Sequence, residues 1–480
     1  MTAFLEKIIA YDADNDPYEI DIRDAATALQ CATNTTDIAA LKTNYVYKSA
    51  LFYNLDNTGV TDCSSILSTI TDNIGFPTGT YLIDDDCTVN VQLIIPDGAI
   101  LNITAGHTLT INGQILAGRY QIFDGLGSVV VNEGAQEFGY PEWFNDDLVK
   151  CYAAFRYIKL ARRVYTVDGN LVLDKTNTKI EGVCYPTNIN GDCSILNFTS
   201  NGRIVIGRND TVNIADFPRN ITLSKLFVIG SNSNLDCISV YGVVRALIEQ
   251  VYIWTQTAFS GIAFYRAIAS ICRDVYVQSV GITGTFMGYR FVDEIGSTAP
   301  GARPASVWLN NCTYADTNPQ NGSTFGFHIG KHLSDIYLDN CEVAEANIGI
   351  CFDSLEDALS VDFLINSCDF DSCRANAIQI YNCSKGMISF NNCYAANKDS
   401  ASGQITAQII NSACQVVLNG LQIILTRNGT NAITADANSC ILLDGVNILN
   451  NDGISGTTAI STSAANVKGS YIYNGAITTM

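Results

Sequence analysis

The chain has 480 residues, 47% hydrophobic but only 15% charged, with a formal net charge of −20 and a pI of about 4.4. That balance argues against nucleic acid, whose phosphates need Lys and Arg, and against an anionic membrane surface. No apolar run reaches the ~18 residues of a membrane-spanning helix, and Met1-Thr2-Ala3-Phe4-Leu5-Glu6-Lys7 carries neither the charged region nor the apolar stretch of a signal peptide.

Residues 1–58 read as a head or attachment segment. Asp12-Ala13-Asp14-Asn15-Asp16 resembles the start of a calcium loop, but Pro17 stands where that loop needs Gly and Arg23 where it needs Glu, so a solvated acidic turn is the better reading. The Ala, Thr and Leu content of 25–41 suggests a short helix. Residues 59–145 form a strand-rich region, with Phe76-Pro77-Thr78-Gly79-Thr80-Tyr81-Leu82-Ile83 followed by alternating runs at 89–95, 100–103 and 108–115. Residues 146–163 are a helix candidate: Leu148, Cys151, Tyr152, Phe155 and Ile158 share one face, and Asn145 can cap. A helix there would cover the open end of a solenoid spanning 146–480. Strands resume at Val164-Tyr165-Thr166-Val167.

From there a beat of about 25 residues runs to the end, the mark of a repeat architecture. One apolar slot recurs at Leu226, Val251, Val275, Cys312, Cys341, Cys368, Cys393, Leu421, Val446 and Ser470. A second track holds Ile238/Val240, Ile262/Phe264, Phe327/Ile329, Ile350/Phe352, Ile378/Ile380 and Ile433/Ala435. Each unit alternates apolar and polar residues at period 2 and leaves no room for a ten-residue amphipathic helix, so the units contain strands. Asn, Asp and Gly follow the second strand at a fixed offset, and these residues tolerate the left-handed backbone that a tight corner needs. A strand, a corner, a strand, a loop and a third strand make one coil of a parallel β-helix. The expected fold is therefore all-β, a right-handed parallel β-helix with a short head and a capping α-helix. The 17 cysteines are read as reduced. Cys312, Cys341, Cys368 and Cys393 are expected as one inward stack of small apolar residues. A metal site is the lesser alternative, because four sulfurs in a line do not make zinc's tetrahedron.

Asn57-Thr58-Gly59-Val60-Thr61-Asp62, then Ser64-Ser65-Ile66-Leu67, then Phe76-Pro77-Thr78-Gly79-Thr80-Tyr81 resembles the opening of the pectin-lyase-like β-helix superfamily. Tyr140-Pro141-Glu142-Trp143-Phe144 with the helix and Tyr165-Thr166-Val167 is similar to a second opening seen in bacteriophage tailspikes and polysaccharide depolymerases. The resemblance implies a homotrimer on a virion that binds, and often cleaves, a bacterial surface polysaccharide, and that attaches to the phage tail or baseplate through its N-terminal segment. It implies no cofactor. The chain departs from longer spikes in having no evident C-terminal trimerising domain after the last coil.

The residue after each inward slot should face out. That column reads Phe227, Tyr252, Tyr276, Thr313, Glu342, Asp369, Tyr394, Gln422 and Asn447, with Trp254 and Asp371 two positions further along their strands. Tyr and Trp faces suit sugar rings, so Tyr252, Trp254, Tyr276 and Tyr394 are the substrate-binding candidates. Glu342, Asp369 and Asp371 are the catalytic candidates. Glycoside hydrolysis needs one protonated and one ionised carboxyl, ~5–5.5 Å apart for retention and ~6.5–9.5 Å for inversion. Glu342 is the expected general acid, its pKa raised by the two aspartates. Acids on a soluble face can also simply be solvated.

Other acids compete: the pair Asp335 and Asp362, and a corner set of Asp353, Glu356 and Asp357 near Glu345. His328, Lys331 and His332 would suit a lyase, which removes a proton beside a uronate carboxylate; a purely surface His328 and a structural His107 are the plainer readings. Residues 278–303 exceed the usual coil by roughly a dozen residues and contain five glycines with Tyr289, Arg290, Asp293 and Glu294; they read as a long recognition loop, with Tyr289 and Arg290 as glycan contacts, or equally as a trimer contact.

Overall fold

Two aspartates organise the start of the strand region. Asp56 accepts hydrogen bonds from the Thr58 and Thr61 amides at 3.0 and 2.7 Å, and Asp62 from the Ser64 and Asp84 amides at 3.0 and 2.9 Å. Between them Gly59 has φ +78°, and Gly79 opens the next strand at φ +144°, where a Cβ would lie 2.4 Å from the Asn57 carbonyl oxygen. The turn and the strand of the opening motif are thus built from residues with little freedom to change.

The computed structural model describes residues 7–11, 17–21, 47–183, 193–199, 202–211, 213–230, 235–282, 284–292, 304–317, 323–331, 333–355, 362–384, 386–397, 405–410, 412–426, 431–450, 457–462 and 467–480. The chain divides into two compact units, Met1–Phe155 and Arg156–Met480. The acidic turn at 12–16 and the suggested helix at 25–41 lie outside the described residues; Lys7–Tyr11 and Pro17–Asp21 pair as an antiparallel hairpin.

The first unit is a three-faced parallel coil in its own right. Tyr81, Leu101 and Phe123 stack in register on one face, Cys87, Leu109 and Val129 on another, and Ile74, Leu93 and Ile115 on the third. All nine point inward and are buried. The helix here runs Leu148–Ala154, shorter than the expected 146–163. Asn145 and Asp146 have positive φ, so neither begins it, and Asp147 caps it by accepting from the Lys150 amide at 2.9 Å. Phe155 is extended and ends it. Leu148, Cys151 and Tyr152 are buried on its inner face, and Phe155 sets its ring edge-on to Trp143 at 5.5 Å.

The second unit is a right-handed parallel β-helix. Each coil contributes one strand to each of three faces: Ser334–Asp339 to the first, Glu342–Ala344 to the second and Ile348–Asp353 to the third, with Asp362–Asn366, Asp369–Cys373 and Asn376–Tyr381 following one coil later. The first two faces form one 20-stranded sheet bent at a corner; the third is an 11-stranded sheet. The corner residue is left-handed in every coil from Lys225 and Gln250 through Asp274, Asn311, Asn340, Ser367 and Asn392 to Gly420 and Gly445. Its amide donates to the next coil, as from Asn311 to the Asp339 carbonyl at 3.0 Å and from Asn340 to the Asn366 carbonyl at 3.0 Å, so the ladder passes around the bend unbroken. Asn is suited to this position because it tolerates positive φ and its side chain joins the stack: the Asn311 amide donates to Asp274 at 2.6 Å.

Cys312, Cys341, Cys368 and Cys393 occupy one inward slot, 0–2% exposed, as their spacing predicts. Among the described residues every cysteine is a free thiol, and burial holds the Cys341 thiol well above its ordinary range. Two expectations change. The last slot position is Tyr471, which pairs with Val446, because a register shift displaces Ser470. Within 278–303, Phe286–Phe291 is a third-face strand, and Tyr289 and Phe291 fill the inward positions of the second track. Tyr289 is fully buried and donates to the Val275 and Thr313 carbonyls at 2.8 and 3.1 Å, so it is a core residue and no glycan contact. Asp293 and Glu294 lie outside the described residues.

Candidate functional site

The second face carries an outward column whose register is continuous. Phe227 pairs with Tyr252, Tyr252 with Tyr276, Tyr276 with Thr313, Thr313 with Glu342, Glu342 with Asp369, Asp369 with Tyr394, Tyr394 with Gln422 and Gln422 with Asn447. Two residues along, Trp254 pairs with Gln278 and Ala344 with Asp371. Neighbouring backbones in such a ladder are ~4.8 Å apart. Glu342, Asp369 and Asp371 are therefore brought together on adjacent coils.

Three neighbouring carboxyls on one strand pair repel when all are charged. Asp369 bears most of the strain: it is half-buried, its Oδ1 has no hydrogen-bond partner, and burial first, then the charges of Asp371 and Glu342, push it up to about 6. Asp371 is fixed by accepting from the Ser372 amide at 2.7 Å. Glu342 is exposed. The carboxyl held protonated toward neutral pH is that of Asp369, where sequence reasoning expected Glu342. Burial explains why it is Asp369, which has lost part of its water.

Aromatic rings flank the acids. Tyr276 lies two coils before Glu342, with the small Thr313 between them, and its phenol is pushed up by burial and by the Glu342 charge. Tyr394 lies one coil after Asp369 and is raised by burial and by Asp371 and Asp369. Tyr252 is placed differently. Phe227 stacks on one of its faces at 4.9 Å and Tyr276 on the other at 4.8 Å, and its hydroxyl bonds Gln278. It can offer a sugar only its edge. Trp254 packs on a cluster of Cys193, Ile195 and Phe227. Phe227 itself is 1% exposed, so the aromatic end of the column is partly a closed cluster.

The competing groups are separated. Asp335 and Asp362 lie on the first face beside Tyr337, whose phenol is raised by burial and then by both charges. Asp353 ends a third-face strand that begins after the Glu345 corner, so the two stand at opposite ends of that strand. Glu356, Asp357 and His332 lie outside the described residues; Lys331 is exposed. His107 belongs to the first unit, 3.9 Å from Asp85.

A second polar column was overlooked in the sequence. The residues between the two inward positions of the third face run Ser239, Ala263, Arg290, His328, Cys351, Gln379 and Gln408 in register. His328 is mostly buried, edge-on to Phe325 at 5.3 Å and 4.0 Å from Asp353, and its pKa is lowered, by burial above all. Arg290 reaches the Tyr265 hydroxyl at 3.3 Å and lies over the Phe259 ring at 4.9 Å. The signal was present: each of these residues sits midway in a pair of the second track. Among the described residues no three His, Cys, Asp or Glu side chains converge to hold a metal ion.

No protein-family model matches the chain, and no curated protein matches it. Among solved structures it is similar to a mannuronan C-5 epimerase A-module of Azotobacter vinelandii at 10% identity and a TM-score of 0.40, over 88% of this chain and 99% of that one. It is similar to the Dettilon tailspike protein at 12% identity and a TM-score of 0.33, over 88% and 70%. It is also similar to a family 28 exopolygalacturonase of Yersinia enterocolitica at 12% identity and a TM-score of 0.30, over 96% and 82%. At these values no residue's role passes from those proteins to this chain.

Proposed function

We propose that the chain is a phage tailspike that binds a bacterial surface polysaccharide along its second face and hydrolyses it there. The observation that carries this reading is the Tyr276–Thr313–Glu342–Asp369–Tyr394 column, in which a carboxyl raised to about 6 adjoins the exposed Glu342 between two half-buried rings. Asp369, protonated, gives its proton to the glycosidic oxygen as the bond to the anomeric carbon breaks. The carboxylate of Glu342 or Asp371 either draws a proton from the attacking water or attacks the anomeric carbon itself, and in the second case water, deprotonated by Asp369, then cleaves the glycosyl ester and frees the carboxylate. Water is consumed and one new reducing end forms. Tyr276 and Tyr394 would hold sugar rings on either side of the cleavage point. In this reading the protein is a homotrimer on the virion, joined to the tail through its N-terminal segment, and needs no cofactor.

A second reading rests on the third face. A neutral His328 beside Arg290 suits proton abstraction next to a uronate carboxylate that the guanidinium would neutralise. One assay separates the two. Capsular and O-antigen polysaccharides are incubated with the protein, and reducing ends and ultraviolet absorbance are followed. Hydrolysis adds water across the bond and leaves no double bond, whereas β-elimination leaves an unsaturated uronate that absorbs. Reducing ends alone support the second-face hydrolase. Added absorbance shows β-elimination and favours His328. Binding without either signal marks a non-catalytic spike.

A further inference from the structure

Trp308 and Tyr337 stand in consecutive coils of one outward column on the first face. Their rings stack with centroids 5.5 Å apart and planes 10° apart. That separation exceeds the ~4.8 Å between coils, so the rings are slipped and each leaves part of a face uncovered. On the other side of Trp308 the column holds Ile271, too short to cover an indole, and Trp308 remains 39% exposed. Among the described residues neither the Trp308 indole N–H nor the Tyr337 hydroxyl has a hydrogen-bond partner. Tyr252 on the second face differs: rings cover both its faces and its hydroxyl is engaged.

Polar side chains border the two rings. Asn310, two residues after Trp308, donates to Asp339 at 3.0 Å, and Asp339, two residues after Tyr337, is exposed. On the opposite side stand Asp335 and Asp362, close enough to act on the Tyr337 phenol, which burial first and then both charges push up. Arg273, the cation in register with Asn310, is already paired with Glu249.

We propose that Trp308 and Tyr337, bordered by Asn310 and the three aspartates, form a second and non-catalytic saccharide site, and that it takes an uncharged sugar. A sugar has an apolar C–H face, which suits a partly uncovered ring, and a rim of hydroxyls. The indole N–H donates to that rim, the phenol donates or accepts, and the carboxylates accept. A protein partner fits less well, because the cores of protein interfaces are depleted in Asp. Three carboxylates with no unpaired cation beside them repel an acidic sugar or an anionic bilayer. Trp308 and Thr313 belong to one coil on either side of the Asn311 corner, so this site and the acid column lie on adjacent faces of the same bent sheet. The inference rests on the polysaccharide ligand of the reading above, but it places that ligand on another face and assigns no bond cleavage there.

The test uses Asp369→Asn, so that bound polymer is not cut at the second face, and its probes are purified neutral and acidic capsular and O-antigen polysaccharides. Of the three tryptophans, Trp143 is 1% exposed and Trp254 packs on the Cys193 cluster, so Trp308 supplies the emission most open to acrylamide quenching. A neutral polymer should shield that emission, acidic polymers should shield it less, and the shielding should be absent from Trp308→Phe. Trp308→Ala should bind the neutral polymer about tenfold more weakly than its parent. The proposal is overturned if no polymer shields the emission, if Trp308→Phe keeps the shielding and Trp254 is therefore the covered ring, if Trp308→Ala binds as tightly as its parent, or if acidic polymers shield as well as neutral ones. Shielding is read on a chain whose first face is native, so a misfolded Trp308 variant does not remove the test. The two readings also fail separately. Reducing ends released by the wild type with no shielding of Trp308 sink this site and keep the second-face hydrolase; shielding of Trp308 with no reducing ends does the reverse.

Discussion

Asp369 lies one coil beyond Glu342 in the same outward column, yet the two carboxyls meet different surroundings: Glu342 is exposed, whereas Asp369 is half-buried and held up to about 6. A proton donor beside an ionisable neighbour is what glycosidic cleavage requires. If Asp369 is the acid, Asp369→Asn should lower turnover of the cleaved polysaccharide by about 10²–10⁴-fold with KM little changed. Glu342→Gln or Asp371→Asn should do the same, whichever is the base or nucleophile. Near wild-type turnover in all three variants would place the chemistry elsewhere.

The same carboxyl sets a pH profile. A general acid works only while protonated, so kcat/KM should fall as pH rises through about 6. A profile that stays flat through that pH and falls only well into the alkaline range would exclude Asp369 as the donor.

Stability should report Asp369 independently of any substrate. Its folded-state pKa lies above its unfolded value, so the folded chain binds more protons between about pH 4 and 6, and stability is lost as pH rises across that window. Asp369→Asn removes the ionisable group. The variant should melt at a higher temperature than wild type on the alkaline side of the window, and the difference should shrink toward its acid side. Parallel melting curves on both sides would show that the carboxyl is not held up in the folded chain.

The beat of the sequence revealed the solenoid because inward slots must be apolar and corners must tolerate positive φ, and both demands repeat with every coil. Cys312, Cys341, Cys368 and Cys393 with their Asn or Ser corners made that legible, and the outward acids followed by alternation. Two things were not legible. In 278–303, five glycines suggested a loop, while Tyr289 and Phe291 kept the strand's spacing; bulky polar-tipped tyrosine looked like a surface residue until its hydroxyl found two backbone carbonyls. In the first unit the coils lack a repeated corner signature, so only their alternation could be read. The raised pKa of Asp369 depends on how much of its water burial removes, which spacing does not encode.

Tyr289 supplies a direct check of the core assignment. Tyr289→Phe removes a hydroxyl that donates to the buried Val275 and Thr313 carbonyls and should cost about 1 kcal/mol. Tyr289→Ala should cost about 3–5 kcal/mol in denaturant unfolding, since it leaves a cavity beside Phe327, whose ring stacks on it at 5.0 Å. A loop tyrosine would show neither loss.

Arg374 and Asp316 form the buried ion pair that braces the corner after the acid column. Arg374 donates to Asp316 at 2.6 Å and to the Glu345 carbonyl at 2.8 Å, and Asp316, 1% exposed, also accepts from Thr324 at 3.1 Å and Ser279 at 3.3 Å. Burial already pushes the Asp316 carboxyl up, and the Arg374 charge opposes that. Arg374→Met strands the carboxylate and should cost about 3–5 kcal/mol near neutral pH. With the guanidinium gone, the folded-state pKa of Asp316 climbs further above its unfolded value. The stability deficit of the variant should therefore be small at acid pH, where Asp316 is protonated in both states, and should widen as pH rises. Adding Asp316→Asn removes the stranded charge and should restore a large part of the loss. A deficit that is flat with pH, or one that Asp316→Asn deepens, would show that Arg374 acts through its carbonyl contacts with Glu345 and not through the pair.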